Sequence, residues 1–219
     1  DVKDLLTTVD SRVKSAPRTA WLRTVAGWKG KSALSPDLDL AGSAVPPAAV
    51  VDAVYRACDG DVIIVTDVGQ HQLWATKYLR CVYPRHFITS GGMGAMGFGI
   101  PAAIGAAIAR PGHKVVSLVG DGGAQMTFQE LIVAAELNLP VTFVVFKNSS
   151  LGLVRQMQRQ DFGGRYFAPD LRSPDFLKLA SAYGIKAARV TGHGDLEAAV
   201  FKAVRSRRPF LLEVEIDKE

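Results

Sequence analysis

Four short, nearly continuous apolar runs constrain the fold of this chain more than any other feature. They read VIIV, VVSLV, VTFVVF and FLLEV, and segments of helical length separate them. An unbroken apolar run is typical of a strand that is covered on both faces, as in a parallel sheet between two layers of helices. Strands that alternate with helices imply right-handed crossover connections. The pattern predicts an α/β fold, a three-layer α/β/α arrangement around a mostly parallel sheet of six strands.

The regular alternation begins near residue 46 and continues to the end of the chain. Strands are predicted at 61–66, 86–89, 114–119, 141–146, 185–190 and 210–216. Helices are predicted at 47–58, 70–80, 98–109, 127–137, 151–158, 173–183 and 194–205. We interpret residues 46–219 as one domain.

The first 45 residues have a different character. Helical spacing of apolar residues predicts helices at 1–13 and 17–28, and the stretch 30–47 has the Ser, Pro, Asp and Gly content of a connector. We interpret residues 1–45 as the helical tail of a preceding domain plus a linker. The chain starts at Asp1 rather than Met, so we expect a fragment or a processed product.

Charge and composition exclude several classes of partner. The net charge of +5 is modest, and the only basic cluster, Arg205, Arg207 and Arg208, is interpreted as a solvated helix end rather than a nucleic-acid site. No apolar run approaches the roughly 20 residues of a membrane span. Cys58 and Cys81 have no metal-ligand spacing and fit reduced thiols. The expected location is the cytoplasm, with an organelle as the alternative.

Two oxygen-bearing side chains are predicted just past the carboxyl ends of adjacent strands. Asp121 stands in Gly-Asp-Gly after the run 115–119, and Asn148 follows the run 141–146. Ligands of open parallel sheets bind at this edge. A carboxylate, an amide oxygen and a nearby backbone carbonyl suit Mg²⁺, and diphosphate oxygens and water would complete its octahedron. The hypothesis is a cation that carries a diphosphate; the alternative is a helix cap at Asp121 and a turn residue at Asn148.

A glycine-rich loop after the second predicted strand permits a different interpretation. Gly92, Gly94 and Gly97 form a literal G-x-G-x-x-G between a strand and a helix, and Asp121 follows the next strand. This is the arrangement of a dinucleotide-binding fold, which predicts NAD. That pattern explains neither the glycines on both sides of Asp121 nor the Asn after the following strand. The cation–diphosphate hypothesis accounts for more residues.

Four motifs carry a resemblance to a known family. Gly-Asp-Gly followed after 25 residues by Asn resembles the thiamine diphosphate motif of the decarboxylase and synthase superfamily. More specifically, DVGQHQLWA, ITSGGMGAMGFGIPAAIGA, GDGGAQMTFQEL and LGLVRQMQ closely resemble the acetolactate (acetohydroxyacid) synthase large-subunit family. The resemblance extends over residues 46 to about 215, with the motifs in the family's order and spacing. It implies the pyrophosphate-type domain of the thiamine diphosphate-binding fold.

The resemblance assigns roles by position. It implies that Asp121, Asn148 and the backbone carbonyl of Ser150 bind Mg²⁺. It places the diphosphate against the loop from Gly69 to His71 and against the amides of Gly122 and Gly123. Gly94 and Met96 would lie under the aminopyrimidine, where Met96 would hold the cofactor bent. The implied cofactor-binding set is Val68, Gly69, Gln70, His71, Gly94, Met96, Gly120, Asp121, Gly122, Gly123, Asn148, Ser150, Leu151, Gly152 and Leu153. The alternatives are a surface or core-lining role for His71 and a core role for Met96.

The chain departs from the family pattern at three places near these motifs. Ser149 and Ser150 replace bulkier residues, which leaves the implied role of the Ser150 carbonyl unaffected. Lys147 stands where the family usually has Asn, but the implied metal ligand is the following Asn148. Met157 stands where many members have a Trp that favours 2-ketobutyrate as acceptor, so the acceptor preference of this substrate-pocket residue stays open.

The implied activity is that of a transferase. It is the decarboxylating condensation of pyruvate with a second 2-keto acid in branched-chain amino-acid biosynthesis. The full-length enzyme would be a homodimer or homotetramer with FAD bound mostly outside this chain, with a regulatory subunit as a further partner, and with no nucleic-acid or membrane partner. Alternatives are glyoxylate carboligase, pyruvate oxidase, a 2-keto acid decarboxylase, or a nucleotide-binding module without catalysis.

No catalytic residue is assigned within the chain itself. The resemblance places the Glu that activates the cofactor on an N-terminal domain of a neighbouring subunit, and Glu130 does not match it. We therefore expect the 219-residue chain alone to bind the cofactor weakly and to be inactive.

Overall fold

The computed structural model describes residues 1–14, 16–31, 44–81 and 83–218. They fall into two compact units, Asp1–Ser35 and Pro36–Glu219. Most of the predicted connector at 30–47 lies outside the described residues, so the division at residue 45 stays a prediction.

The first unit contains two helices, as the apolar spacing predicts. Helix α1 spans Val2–Arg12, and the side chain of Asp1 caps it by accepting a hydrogen bond from the backbone N–H of Lys3. Helix α2 spans Thr19–Lys31. The Trp21 and Trp28 rings of α2 meet edge to face, with 5.5 Å between their centroids.

The second unit is built on a six-stranded sheet that is parallel throughout. The strands are β1 Ile63–Thr66, β2 Phe87–Thr89, β3 Val115–Gly120, β4 Val141–Lys147, β5 Lys186–Val190 and β6 Phe210–Glu215. Their order across the sheet is β2-β1-β3-β4-β6-β5. Every pairing in this sheet is parallel, so all six carboxyl ends lie along one edge. The predicted sheet is confirmed.

Helices connect the strands in the predicted places, with one exception. They are α3 Pro47–Ala57, α4 Gln70–Tyr78, α5 Gly99–Ala109, α6 Asp121–Thr127, α7 Leu131–Glu136, α8 Gly152–Asp161, α9 Phe176–Ala182 and α10 Leu196–Val204. The predicted helix at 127–137 is wrong at its start, because α6 already begins at Asp121. The sequence Gly-Asp-Gly-Gly indicates a loop. In the structure Gly122 and Gly123 are helical, and they stand where the chain packs too closely for side chains. A 3₁₀ turn at Phe128–Glu130 joins α6 to α7.

Two apolar layers cover the sheet. On one face, α3, α4 and α10 pack against a core that includes Val54, Leu118, Val200 and Leu212. On the other, α5, α7 and α9 pack against a core that includes Val65, Phe143 and Phe176. The three-layer α/β/α arrangement is therefore confirmed. Within the described part of the chain, none of the helices has the length and apolarity needed to cross a membrane.

Candidate functional site

One open cavity of about 200 Å³ lies at the carboxyl edge of the sheet, where β1, β3 and β4 end. Its lining comes from the loops and helix starts that follow those strands and from the glycine-rich loop. The lining residues are Val68, Gly69, Gln70, His71, Trp74, Gly94, Met96, Gly120, Asp121, Gly122, Gly123, Phe146, Asn148, Ser150, Leu151, Gly152, Leu153, Val154, Met157 and Ile216.

This cavity brings together every residue of the predicted cofactor set, and Met157 as well. Four lining residues were not predicted, namely Trp74, Phe146, Val154 and Ile216. Phe146 is the last residue of the β4 apolar run, and Ile216 directly follows β6. Their apolar character is that of ordinary core residues, so the sequence does not distinguish them from the core.

Asp121 is buried at the first position of α6, beside the cavity. Its Oδ1 accepts a hydrogen bond from the backbone N–H of Gly122 at 3.0 Å. Its Oδ2 accepts two more, from the N–H of Ser149 at 2.7 Å and from the hydroxyl of Ser173 at 2.6 Å. Burial raises the pKa of this carboxyl, and these three hydrogen bonds partly oppose the rise. No basic side chain of the described residues forms an ion pair with Asp121.

The turn that follows β4 is fixed by a local hydrogen bond and by one residue with a left-handed backbone. The side-chain oxygen of Asn148 accepts from the N–H of Ser150 at 3.0 Å, which closes a local turn. Ser149 adopts a left-handed backbone with φ of 52°, which directs its N–H to Asp121. Within the described chain, no hydrogen bond reaches the carbonyl oxygen of Ser150, the predicted third metal ligand.

Close packing leaves little room for a side chain at three glycines around the cavity. A Cβ on Gly122 would lie 2.9 Å from Leu171 and 3.0 Å from Leu151, and one on Gly123 would lie 2.7 Å from the carboxylate of Asp67. A Cβ on Gly152 would collide with the side-chain oxygen of Gln70. At Gly122 and Gly152 the missing side chain leaves cavity-lining backbone accessible, whereas at Gly123 it makes room for Asp67.

His71 is buried in the cavity wall. Its ring stacks on Phe146 with 6.1 Å between centroids and hydrogen-bonds to the backbone of Asp67. Burial lowers its pKa to about 4, so the ring is neutral at pH 7. Its Nε2 has no hydrogen-bond partner in the described structure. A ring nitrogen buried without a partner in a cavity wall is consistent with a polar ligand there.

The glycine-rich loop is fixed by a residue that the sequence interpretation missed. Asp67 is fully buried at the end of β1, and its carboxylate accepts from the N–H groups of Gly97 at 3.1 Å and Gly99 at 2.8 Å. The hydroxyls of Ser117 and Thr127 donate to the carbonyls of Gly99 and Gly97. The sequence clues were an acid directly after a buried strand and its place at the start of the motif DVGQHQLWA.

The sheet order removes the geometric basis of the NAD interpretation. The G-x-G-x-x-G loop follows β2, an edge strand whose neighbour is β1, and Asp121 follows β3 on the far side of β1. The two strand ends are therefore about 10 Å apart, at roughly 4.8 Å per strand. In a dinucleotide site, the acid follows the strand adjacent to the glycine loop.

The donors at this edge fit one particular class of metal ion. Among the described residues, no group of three or more His, Cys, Asp or Glu could hold a metal on its own. One carboxylate, one amide oxygen and one carbonyl without a hydrogen bond form an all-oxygen set that is incomplete by itself. Mg²⁺ commonly binds such sets together with phosphate oxygens.

Comparison with known proteins identifies the family. The chain matches the model described as "Thiamine pyrophosphate enzyme, C-terminal TPP binding domain" over residues 67–214, well over half of its length. The chain belongs to the thiamine pyrophosphate enzyme family. Thiamine pyrophosphate is thiamine diphosphate, so the match agrees with the diphosphate interpretation of this edge.

Curated relatives narrow the likeness to acetolactate synthases. The probable acetolactate synthase large subunit of Methanococcus aeolicus is 40% identical over 203 residues, 90% of this chain and 34% of that protein. The Escherichia coli acetolactate synthase isozyme 2 large subunit is 46% identical over 159 residues, 72% of this chain and 29% of that protein. The mitochondrial catalytic subunit of Saccharomyces cerevisiae is 37% identical over 205 residues, 92% and 30% respectively. The chain therefore spans about a third of the length of these relatives. The predicted resemblance to the acetolactate synthase large-subunit family is confirmed.

Proposed function

We propose that this chain is the thiamine diphosphate- and Mg²⁺-binding part of an acetolactate synthase large subunit. The enzyme would decarboxylate pyruvate and condense the product with a second 2-keto acid in branched-chain amino-acid biosynthesis. The observation that carries the proposal is the cavity at the carboxyl edge, which is lined by Asp121, Asn148 and Ser150, the last with a carbonyl that accepts no hydrogen bond from the described residues.

Asp121, Asn148 and Ser150 would hold the Mg²⁺. The Asp121 carboxylate lacks a cationic partner in the described structure, so a divalent cation would supply the charge that its burial otherwise leaves uncompensated. The turn from Asn148 to Ser150 is already closed by its own hydrogen bond, so little backbone ordering would accompany binding.

The diphosphate and the rings would occupy the rest of the cavity. Gly122 and Gly123 expose backbone in the first turn of a helix, where N–H groups favour an anion. Gln70 is held by a 3.0 Å hydrogen bond to Gln156, and His71 contributes its free ring nitrogen. Met96 lies at the cavity wall near Gly122, in agreement with the apolar support predicted for the aminopyrimidine.

Bound thiamine diphosphate supplies the carbanion chemistry by which one 2-keto acid loses CO₂ and attacks another. The chain's own part is to bind and orient the cofactor and to exclude water. Leu153, Val154 and Met157 on α8 give the adjoining wall an apolar character that suits a keto acid's alkyl group. The flexible side chain of Met157 is half-exposed and would adapt to acceptors of different size.

Further components belong to the full-length enzyme in this proposal. The relatives are named as large or catalytic subunits, so we propose that the full-length protein is a homodimer or homotetramer that also works with a regulatory subunit. FAD would bind mostly outside the 219 residues described by this sequence.

Cofactor binding is the first test. Calorimetry on the full-length protein with thiamine diphosphate, with and without Mg²⁺, should show binding that depends on the cation. NAD and ATP serve as comparison ligands and should not bind. Binding of NAD, or thiamine diphosphate binding that is indifferent to Mg²⁺, would contradict the proposal.

Product analysis is the second test. The full-length protein should convert pyruvate to acetolactate, detected as acetoin after acid treatment, whereas a decarboxylase would release free aldehyde. The isolated chain should show no turnover, because the resemblance places the activating Glu on another domain. Acetolactate formed by the isolated chain would contradict that expectation.

A further inference from the structure

Asp121 is held by a side chain from a distant part of the sequence. Two of its three hydrogen bonds come from backbone N–H groups of the loops that already form the site, those of Gly122 and Ser149. The third comes from the hydroxyl of Ser173, at 2.6 Å from Oδ2 and 52 residues further along the chain. Ser173 does not line the cavity, so its hydroxyl serves the carboxylate rather than a ligand.

We propose that Ser173 is a positioning residue for the cation site, which fixes the Asp121 carboxylate in the orientation that binds the metal. This inference rests on the proposed function, because it concerns the same Mg²⁺ site. A carboxylate whose Oδ2 is held by two donors cannot turn freely about its terminal bond. The lone pair that remains, on Oδ1, is therefore oriented before a cation binds.

The segment that carries Ser173 is bonded to the turn that supplies the other predicted ligands. The N–H of Leu171 donates to the carbonyl of Ser149 at 2.9 Å. On the opposite side, the carbonyl of Pro169 accepts from the N–H of Leu151 at 2.7 Å and from the hydroxyl of Ser150 at 3.0 Å. The segment 169–173 therefore contacts both parts of the predicted cation site. It pairs in antiparallel fashion with the turn around Ser150, and it bonds to the Asp121 carboxylate through Ser173.

The other end of the segment is fixed too. The side chain of Asp175 caps α9, accepting from the N–H groups of Leu177 at 3.2 Å and Lys178 at 3.3 Å. Ser173 thus lies between a strand-like contact and a capped helix, a location that leaves its hydroxyl little freedom. A hydroxyl that is rigidly placed against a metal-ligating carboxylate contributes to metal affinity, typically 10- to 100-fold.

The test measures cation affinity in the full-length protein, with Mn²⁺ as the probe. Free Mn²⁺ is followed by electron paramagnetic resonance at a fixed concentration of thiamine diphosphate. Ser173→Ala should weaken Mn²⁺ binding about tenfold. Ser173→Thr keeps the hydroxyl and should restore affinity to within about threefold. Ser181→Ala, on an exposed position of α9, is the matched control and should bind as the wild type does.

A further variant separates positioning from folding. Ser173→Cys keeps a similar volume but offers only a weak donor, so its Mn²⁺ affinity should fall between those of Thr and Ala. If Ser173→Ala does not fold, the comparison of Cys with Thr decides. Equal Mn²⁺ affinity in the wild type and in the Ala or Cys variant would overturn the role of Ser173 and leave the proposed function standing. Absence of cation-dependent cofactor binding in the wild type itself would instead overturn the proposed function.

Discussion

Asp67 and Asp121 are two buried aspartates at the ends of adjacent strands, and the structure uses them in opposite ways. Each carboxylate accepts three hydrogen bonds. Gly123 packs closely against Asp67 and lies two residues after Asp121 in the sequence. The Asp67 donors are all backbone N–H groups, from Val68, Gly97 and Gly99. One Asp121 donor is a hydroxyl, and Asp121 lines the cavity whereas Asp67 does not.

The difference separates a carboxylate that organises backbone from one that is available to a ligand. The oxygens of Asp67 are enclosed by the loop that they order, and Gly123 and Gly99 allow that loop to come close. Asp121 faces the cavity of about 200 Å³, where a cation or water can reach it. Substitution should therefore damage the fold at Asp67 and ligand binding at Asp121.

The largest expected effect is on stability at Asp67. Asp67→Ala leaves the buried N–H groups of Gly97 and Gly99 and the part-buried N–H of Val68 without their acceptor, and each buried one costs about 1–3 kcal/mol. We expect a loss of about 4 kcal/mol in the free energy of unfolding, measured by urea denaturation with circular dichroism. Asp67→Asn keeps one acceptor and should lose roughly half as much. A stable Asp67→Ala variant would show that the two carboxylates do not differ in this way.

His71 offers a pH-dependent test, because its ring contacts the Asp67 backbone on one side and the Asp121 cavity on the other. Burial lowers the pKa of His71 to about 4, below the usual 6.5, so the folded state favours the neutral ring. Its contribution to stability is therefore complete above pH 6.5 and is lost as the pH falls towards 4. The difference between these limits is up to about 3 kcal/mol.

The test is urea unfolding of the wild type and of His71→Gln between pH 7.5 and pH 4, about the range over which the ring titrates. The loss of unfolding free energy that is due to His71 should appear in the wild type only. The pKa of Asp121 is raised and acts in the opposite sense, since its ionisation opposes folding as pH rises. Because both proteins keep Asp121, its contribution cancels in the difference. Parallel pH profiles for the two proteins would contradict the buried neutral state of His71.

At Asp121 the expected loss is in binding. Asp121→Ala should weaken Mg²⁺-dependent binding of thiamine diphosphate by at least about a hundredfold, which is about 2.8 kcal/mol. Its free energy of unfolding should fall by only about 1 kcal/mol, because cavity water can replace the lost acceptor and the cost of burying a charge disappears. Calorimetry and urea unfolding on the same preparation provide the two numbers. Unchanged cofactor affinity would mean that Asp121 is not the metal ligand.

The strands and the two predicted metal ligands could be predicted from the sequence, whereas the order of the strands could not. All six strands were predicted to within two residues at either end, and four of them, β1, β3, β4 and β6, carry the continuous apolar runs typical of strands covered on both faces. Asp121 and Asn148 were predicted because parallel strands share one carboxyl edge. The order β2-β1-β3-β4-β6-β5 was not predictable, since chain order does not specify which strands become neighbours.

The missed residues share one physical property, dependence on contacts between distant segments. Asp67 bonds to a loop about 30 residues away and Ser173 to a carboxylate 52 residues away, and no local sequence pattern indicates these partners. Trp74 and Phe146 line the cavity through side chains that periodicity assigns to the core. The early start of α6 was missed because glycines usually end helices, whereas here they allow close packing.

The smallest expected effect is a difference in stability between alanine substitutions at two consecutive glycines of α6. A Cβ on Gly123 would lie 2.7 Å from a carboxylate oxygen of the rigidly bonded Asp67, so Gly123→Ala should cost about 2 kcal/mol of unfolding free energy. A Cβ on Gly122 would meet only the ends of the Leu171 and Leu151 side chains, which can move. Alanine also gains about 1 kcal/mol over glycine in a helix, so Gly122→Ala should be close to neutral. Urea unfolding of both variants checks the order; equal losses would show that the Asp67 loop yields as easily as the leucines do.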